Sequence, residues 1–284
     1  MNPIDYCRER VAVPGSSYYY STLWLGPEVQ RGLFALLAFK DAIAEVPRTC
    51  TDPAVAGMKL AFWREELARI EAREPARHPI AELMAWVART HGLEPRSLDP
   101  ALVATERDVG PGGYPCHEAL VRHFQAMYGP IWRGCARIHG YRDETTPEAV
   151  ADLGAAIELA ARVQDLRAET ARGRIRIPQD ALARHGVSAA ALLERESPAR
   201  LRDMVAEHCE RIGADLAQDL ARVPPVDRSA QESAVILAQI LLVTLAEIRR
   251  DGSLVLHHRI ALTPLRKLWI AWRTRRRLMV RNPG

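Results

Sequence analysis

The sequence lacks the patterns that mark strand-rich and membrane-spanning proteins. Its 284 residues contain no long alternating run of Val, Ile and Thr and no Asn-Gly turn, so strand signals are almost absent. The longest apolar run, 234–246, is interrupted by Gln239 and falls short of the roughly 18 apolar residues expected of a membrane-spanning helix. We interpret this run as a buried core helix.

Cysteine usage is sparse and scattered. No two of the five cysteines form a Cys-x-x-Cys pair, and an odd number of isolated cysteines fits a reducing compartment. The polar start of the chain, MNPIDYCRER, predicts no cleavable signal. We therefore expect a cytoplasmic protein. His117, His123 and His139 share one predicted helix without His-x-x-x-His spacing, so a zinc site is not expected.

The residues that are abundant favour helix. Ala, Leu, Arg and Glu dominate, and 48% hydrophobic with 26% charged residues is an ordinary globular balance. Pro27 opens a helix that Pro47 should end, Asp52 caps the next helix, and Gly92 closes another. The sequence predicts a large all-α bundle formed by one domain, 1–284.

One predicted helix carries two carboxylates a turn apart. Asp165 and Glu169 stand at positions i and i+4, and Arg174 follows close behind them. Such a pair can share a divalent cation, because Mg²⁺ takes hard oxygen ligands and bridges carboxylates to phosphates. The other interpretation is a solvated, salt-bridged surface formed with the neighbouring arginines. The spacing leaves both open.

Four long segments in the same order resemble the squalene/phytoene synthase family over nearly the whole chain. They are GSSYYYSTLWLGPEVQRGLFALLAF, DPAVAGMKLAFWREELARI, DLRAETARGRIRIPQDALARHGVS and LHHRIALTPLRKLWIAWR. The resemblance implies an isoprenoid-synthase-type helical bundle with a central cavity. It also implies two aspartate-rich motifs that hold Mg²⁺ on prenyl diphosphates, which the family joins head to head, and no nucleic-acid partner.

The same resemblance implies the candidate site residues. Asp165 and Glu169 fall at the two acids of the family's second motif, and Arg174 matches a conserved arginine of that segment. His123 falls at a family tyrosine. The Ser-rich, aromatic stretch at the start of the match adds further candidate substrate-binding residues, namely Ser17, Tyr18 and Tyr19.

The first acidic motif departs from the family pattern. Ala44 and Glu45 fall at its Asp pair, Arg48 falls at the later Asp, and Asp41 falls at a basic position. Asp41 and Glu45 are nevertheless four residues apart and lie about one turn from the lost acids. They form a second candidate pair of metal ligands with Asp165 and Glu169. The alternative is that they merely pair with Lys40 and Arg48.

The segment of the second acidic motif and the predicted helix that begins at His117 are altered as well. Ala161 and Gln164 replace the family's Asn and Arg, and Arg176 replaces a Tyr. Tyr128 and Trp132 fall at small residues and should narrow a cavity meant for two prenyl chains. A magnesium site would therefore be weakened or absent.

Three functions remain open. The first is a divergent member that binds an isoprenoid or another apolar ligand, or acts through protein contacts, without standard head-to-head condensation. The second is an active Mg²⁺-dependent farnesyl or geranylgeranyl diphosphate transferase with a displaced metal site. The third is a non-catalytic interaction or assembly factor, for which the family offers a precedent in a respiratory complex I assembly factor.

The last segment, 263–284, is basic and amphipathic. It contains seven Arg and Lys residues and no acid, while Leu265, Leu268, Trp269 and Trp272 recur at helical spacing. Because basic residues favour anionic lipid and Trp favours the interface, we predict peripheral docking on a membrane surface. The alternative is that both Trp side chains are core contacts.

Overall fold

The computed structural model describes residues 2–50, 52–110, 112–194, 198–251 and 254–281. The described residues form thirteen α-helices and three short 3₁₀ turns, and they contain no β-strand. The helices are α1 (Pro3–Val11), α2 (Ser17–Thr22), α3 (Pro27–Thr49), α4 (Pro53–Glu71), α5 (Pro79–His91), α6 (Asp99–Glu106), α7 (His117–His139), α8 (Thr146–Val163), α9 (Leu166–Ala171), α10 (Gln179–Arg184), α11 (Ala199–Arg222), α12 (Glu232–Asp251) and α13 (Pro264–Arg281). The predicted all-α bundle is confirmed.

Local signals set most helix ends. Asp52 accepts a hydrogen bond from the Ala54 amide at 2.8 Å and so caps α4, as predicted. Gly92 ends α5 with a φ of 64°, a left-handed conformation that Gly adopts without the penalty of a Cβ. Pro47 does not end α3. The helix continues to Thr49, and Pro47 lies buried in its last turn.

Two helices form the centre of the bundle. Helix α7 packs against α3, α6 and α8, and α8 packs in turn against α11 and α12. Helix α7 approaches α8 at Gly154, where a Cβ would lie 1.9 Å from Cγ of Trp132. A glycine is therefore required at this crossing. Helix α13 packs on α12 and α2 at one side of the molecule.

The predicted helix through Glu169 is interrupted. Helix α8 ends at Val163, and the amides of Gln164 and Asp165 bond three residues back, to the carbonyls of Ala161 and Arg162. These tight 3₁₀-type bonds end the α-helix and let the chain turn into the short α9. Asp165 thus precedes α9, whereas Glu169 lies within it.

Candidate functional site

A buried charged cluster joins α3 to α8. Nζ of Lys40 lies 2.7 Å from Oε1 of Glu158, and both side chains are almost fully buried, at 2% and 3% exposure. The Tyr18 hydroxyl completes the cluster, 2.6 Å from Nζ of Lys40 and 2.5 Å from Oε1 of Glu158. The lysine also lies over the Tyr18 ring, 4.4 Å from its centroid. These contacts close the space between the two helices.

The protonation states of this cluster follow from its contacts. Burial would raise the pKa of Glu158, but Lys40 and Arg162 outweigh burial and hold that pKa below its ordinary value. Burial would lower the pKa of Lys40, but Asp41 and Glu158 raise it well above normal. The pair is therefore an ammonium and a carboxylate across the neutral pH range. Burial and the Glu158 carboxylate raise the pKa of Tyr18, so its phenol keeps its proton.

Glu169 is the centre of a second buried network. Nε of Arg174 donates to Oε2 of Glu169 at 3.0 Å, and Nη1 of Arg174 donates to the Pro47 carbonyl of α3. From α3 itself, Nε of Arg48 lies 4.0 Å from Oε1 of Glu169. Burial would raise the pKa of Glu169, but the hydrogen bond from Arg174 and the nearby guanidinium charges lower it. Helix α3 and the segment 169–174, which carry the two acidic motifs, are thus joined directly by ion pairs and hydrogen bonds.

Arg176 extends this network to the loop after α6. Its guanidinium donates two hydrogen bonds to Asp108, at 2.9 and 2.6 Å, and one to the Tyr114 hydroxyl at 2.7 Å. Nε2 of His123 lies 3.3 Å from Oδ1 of Asp108 but has no hydrogen-bonding geometry toward it. Burial would raise the pKa of Asp108, but His123 and Arg176 lower it. The carboxylate is therefore held by basic groups from two other segments.

Asp165 and Glu169 have different basic partners. Oδ1 of Asp165 lies 3.0 Å from Nε of Arg259, at a partly exposed position, whereas Glu169 is buried among Arg174 and Arg176. The break lies before Asp165, which is the N-cap residue of α9, and the Glu169 amide donates to the Asp165 carbonyl at 2.9 Å. The two carboxylates therefore differ in their side-chain partners and not in their backbone spacing.

The predicted pair on α3 has basic partners of its own. Glu45 lies in an ion pair with Arg10 of α1 and is half exposed. Asp41 lies 3.3 Å from Nζ of Lys40 and is one-third exposed. Helical geometry places Glu45 more than a quarter-turn from Lys40. The four candidate carboxylates therefore have four separate sets of basic partners.

In the described part of the chain, the candidate acids are not grouped as a magnesium cluster would require. Enzymes of the family are normally Mg²⁺-dependent, and Mg²⁺ in such sites needs carboxylate oxygens that converge on one position. Within the described ranges, no three His, Cys, Asp or Glu side chains are grouped so that they could hold a metal ion. No metal-assisted step follows from this arrangement, and the assignment of Asp41, Glu45, Asp165 and Glu169 as metal ligands stays a prediction.

The predicted substrate-binding residues lie in different places. Tyr18 belongs to the Lys40–Glu158 cluster, whereas Arg174 and His123 belong to the network around Glu169 and Asp108. Ser17 is the first residue of α2 and is partly exposed. Tyr19 contacts Tyr20 edge to face, at 5.1 Å, on the side of α2 toward α12 and α13. Their role in binding a substrate remains a prediction.

Large side chains fill the interior, in line with the expected narrowing. Tyr128 and Trp132 are 2% and 3% exposed. A partly open cavity between α7, α8 and α11, with Phe124 and Ile212 in its wall, measures about 20 Å³. Ligand pockets usually measure roughly 300–1,000 Å³. This cavity has room for about one water molecule and is too small for a prenyl chain.

Lys40, Glu158 and Asp108 were missed as site residues. The sequence does carry a signal for two of them, since Lys40 interrupts the apolar stretch LLAFKDAI and Glu158 interrupts GAAIELAA. A charge within an apolar run of a core helix, alone as at Glu158 or beside another as at Lys40 and Asp41, indicates a buried pair, because an unpaired buried charge is too costly. Asp108 lies in a loop, and no sequence pattern singles it out.

The architecture is that of the isoprenoid synthases. A squalene synthase from Alicyclobacillus acidocaldarius aligns with a TM-score of 0.71 at 21% identity, over 88% of this chain and 94% of that one. A dehydrosqualene synthase solved with a ligand aligns with a TM-score of 0.78 at 15% identity, over 98% of this chain and 97% of that one.

The chain belongs to the squalene/phytoene synthase family, whose model matches residues 11–266. The mouse complex I assembly factor 6 is 22% identical over 200 residues, which are 70% of this chain and 60% of that protein. The chain therefore spans less than two-thirds of the assembly factor's length. The phytoene synthase of Mycobacterium tuberculosis is 24% identical over 262 residues, which are 90% of this chain and 84% of that protein.

Proposed function

We propose that this chain is a non-catalytic member of the family that acts through contacts with other proteins. One observation carries the proposal. Where the family places acids on two facing walls, Arg48 and the Pro47 carbonyl of α3 bind directly to Glu169 and Arg174. Stabilising a departing diphosphate requires positive charge or a metal that is free to reach it. Here the guanidiniums of Arg174 and Arg176 are already engaged by Glu169 and Asp108 in buried ion pairs.

A function as an assembly factor is the form of this proposal that the relatives support. The similar mouse and human proteins are named complex I assembly factor 6. An isoprenoid-binding role is less well supported, because the large side chains of Tyr128 and Trp132 are buried in the interior and the cavity between α7, α8 and α11 measures only about 20 Å³.

Two measurements test the proposal. The purified protein is incubated with farnesyl and geranylgeranyl diphosphate and Mg²⁺, beside an active phytoene synthase, and we expect no condensation product. In the host of this chain, deletion of its gene should lower NADH:ubiquinone oxidoreductase activity and leave incomplete complex I particles on native gels. Formation of presqualene diphosphate, squalene or phytoene at an enzyme-like rate would establish the alternative of an active prenyltransferase.

Helix α13 supports a location at a membrane surface. Leu265, Trp269 and Trp272 are 80%, 52% and 47% exposed and share one face of the helix. Arg273 and Arg276 lie over the two Trp rings, at 4.9 and 5.0 Å from their centroids. An exposed apolar face flanked by arginines suits the interface of an anionic bilayer. In the described part of the chain, no helix is long and apolar enough to span a membrane.

Liposome co-sedimentation tests this location. We expect binding to anionic vesicles that weakens with salt and is lost when the chain is truncated after Leu262. The double variant Trp269→Ser/Trp272→Ser, which alters exposed positions only, should lose binding while the fold is kept. Equal recovery in the supernatant with anionic and neutral vesicles would remove the membrane role. Residues 282–284 of the predicted basic segment lie outside the described residues.

A further inference from the structure

A groove of about 320 Å³ opens between α1, α3, α4 and the start of α5. It follows the side of α3 that carries Glu45, away from the buried Lys40. Its volume lies within the range of small-molecule sites, roughly 300–1,000 Å³. The proposed interaction role does not use this groove.

One wall of the groove is aromatic. The Phe62 and Trp63 rings meet edge to face at 5.4 Å, and the His78 ring contacts Trp63 at 5.0 Å. Nδ1 of His78 accepts a hydrogen bond from the Ile80 amide at 3.1 Å, so the proton of the neutral ring is on Nε2. No described residue accepts a hydrogen bond from that Nε2. The wall therefore offers the half-buried Phe62 ring, a small exposed part of Trp63 and one N–H donor.

The rim of the groove carries an excess of positive charge. Arg10 is paired with Glu45, and Nε of Arg10 is buried without a hydrogen-bond partner among the described residues. Lys59 is exposed, and no described carboxylate lies within ion-pair distance of it. Two cations and one carboxylate leave the lining with one net positive charge. That balance suits a monoanion and does not suit a diphosphate.

We propose that this groove binds an organic monoanion, with its oxyanion group between Lys59 and Arg10 and its apolar body against Phe62 and Trp63. The positive charge of the rim and the aromatic wall are complementary to a carboxylate or a phosphodiester that is attached to an apolar body. Such a group is found both in soluble organic acids and in the headgroup region of anionic lipids. The two sources share the chemistry that the groove recognises.

Calorimetric titration with matched probes tests the proposal. 2-Naphthoate supplies the monoanion on a flat apolar body, and 2-naphthamide has the same shape without the charge. We expect naphthoate to bind at a single site about tenfold more tightly than the amide. Dihexanoyl phosphatidylglycerol below its micelle concentration, compared with the phosphatidylcholine analogue, tests the lipid source. Binding of either anion supports the site and identifies its source.

Variants locate the binding. Lys59→Met keeps the length of an exposed side chain and should weaken anion binding about tenfold. Arg64→Met on the same helix removes a cation that pairs with Glu106 outside the groove, and it should leave binding unchanged. If neither anion binds, if naphthoate and naphthamide bind equally, or if Lys59→Met binds as the wild type does, the proposal is wrong. Ligand binding and prenyl condensation are measured separately, so each result stands without the other.

Discussion

At the scale of single residues, this protein uses buried charges to hold its interior together. Lys40 and Glu158 lie 118 positions apart in sequence and meet at 2.7 Å. Removing one member of such a pair leaves an uncompensated buried charge, which typically costs about 3–5 kcal/mol, whereas replacing both members by apolar groups is often neutral. The pair therefore contributes little to the net stability, and its main effect is to specify that α3 packs near α8.

Lys40→Met should lower the free energy of unfolding by about 3–5 kcal/mol, because Glu158 would remain charged and buried. The double variant Lys40→Met/Glu158→Leu should recover most of that loss. Urea denaturation measures both. The exposed pair Arg133–Glu148 is the matched control, at 2.6 Å on the surface of α7 and α8, and Arg133→Met should cost about 0–1 kcal/mol. A Lys40→Met variant as stable as this control would contradict the assignment.

His208 makes stability depend on pH. Burial, together with the charges of His117 and Arg211, lowers its pKa to about 3. The unfolded chain binds a proton at this position below its ordinary pKa of about 6.5, and the folded chain does not until about pH 3. The free energy of unfolding contributed by His208 is therefore fully present above about pH 6.5. It falls as the pH falls through this window.

We expect His208 to account for a loss of about 2 kcal/mol between pH 7 and pH 5. The variant His208→Leu has no titrating group there, so its stability should change by that much less over the same interval. Urea midpoints of both proteins at the two pH values give the comparison. Parallel pH dependence in the two proteins would show that His208 titrates normally in the folded state.

At the scale of helices, two close contacts fix how the centre is packed. A Cβ at Gly154 would lie 1.9 Å from Cγ of Trp132, and a Cβ at Gly134 would lie 2.8 Å from Cδ1 of Leu36. The first contact sets the distance between α7 and α8, because it meets the ring and Cβ of Trp132. The second brings α7 close to α3, although the end of the Leu36 side chain can shift to admit a Cβ.

Gly154→Ala should destabilise the protein by at least about 1–3 kcal/mol, because α7 and α8 must separate to admit the methyl group. Gly129→Ala on α7 is the control, since its Cβ would lie 3.9 Å from the nearest atom, Cβ of Ala151. That change should be tolerated, because Ala favours helix over Gly by about 1 kcal/mol. Thermal unfolding of both variants tests the prediction, and equal melting temperatures would refute it.

At the scale of the whole molecule, the charges around the altered second motif pair with one another inside the protein. The pairs Arg174–Glu169 and Arg176–Asp108 are almost fully buried, and Arg48 adds a weaker contact from α3. An anion bound at this place would have to displace a carboxylate that already accepts hydrogen bonds. The interior is therefore built for a fixed conformation, and the exposed face of α13 is available for contact with a surface.

Mg²⁺ with inorganic pyrophosphate should not stabilise the folded protein. A ligand that binds only the folded state at ten times its dissociation constant raises the free energy of unfolding by about 1.4 kcal/mol. We expect no change in the urea midpoint in 1 mM pyrophosphate with excess Mg²⁺, a condition chosen at about the upper end of enzyme KM values. A sulfate buffer of equal ionic strength is the control. A rise beyond this control would indicate an intact diphosphate site.

Most helices and the family could be predicted from the sequence alone. Proline, glycine and capping residues are read within one or two turns of the chain, so the ends of α4 and α5 could be predicted from Asp52 and Gly92. The altered acids were visible in the same way, because Ala44 and Arg48 can be compared position by position with the family pattern. The end of α8 at Val163 was not predicted, because neither Gln164 nor Asp165 is a Pro or Gly that would indicate a helix end.

The pairing of the charges could be established only once the helices were seen packed together. Arg174 donates to the Pro47 carbonyl 127 positions away, and Asp165 pairs with Arg259, which no helical spacing relates to it. Asp165 and Glu169 look equivalent in sequence. In the structure Asp165 precedes α9, Glu169 lies within it, and their side chains have different partners. The physical reason is that helical periodicity fixes the direction of a side chain relative to its own axis. The partner it meets depends on how the axes pack, and that is set by contacts such as the one between Gly154 and Trp132.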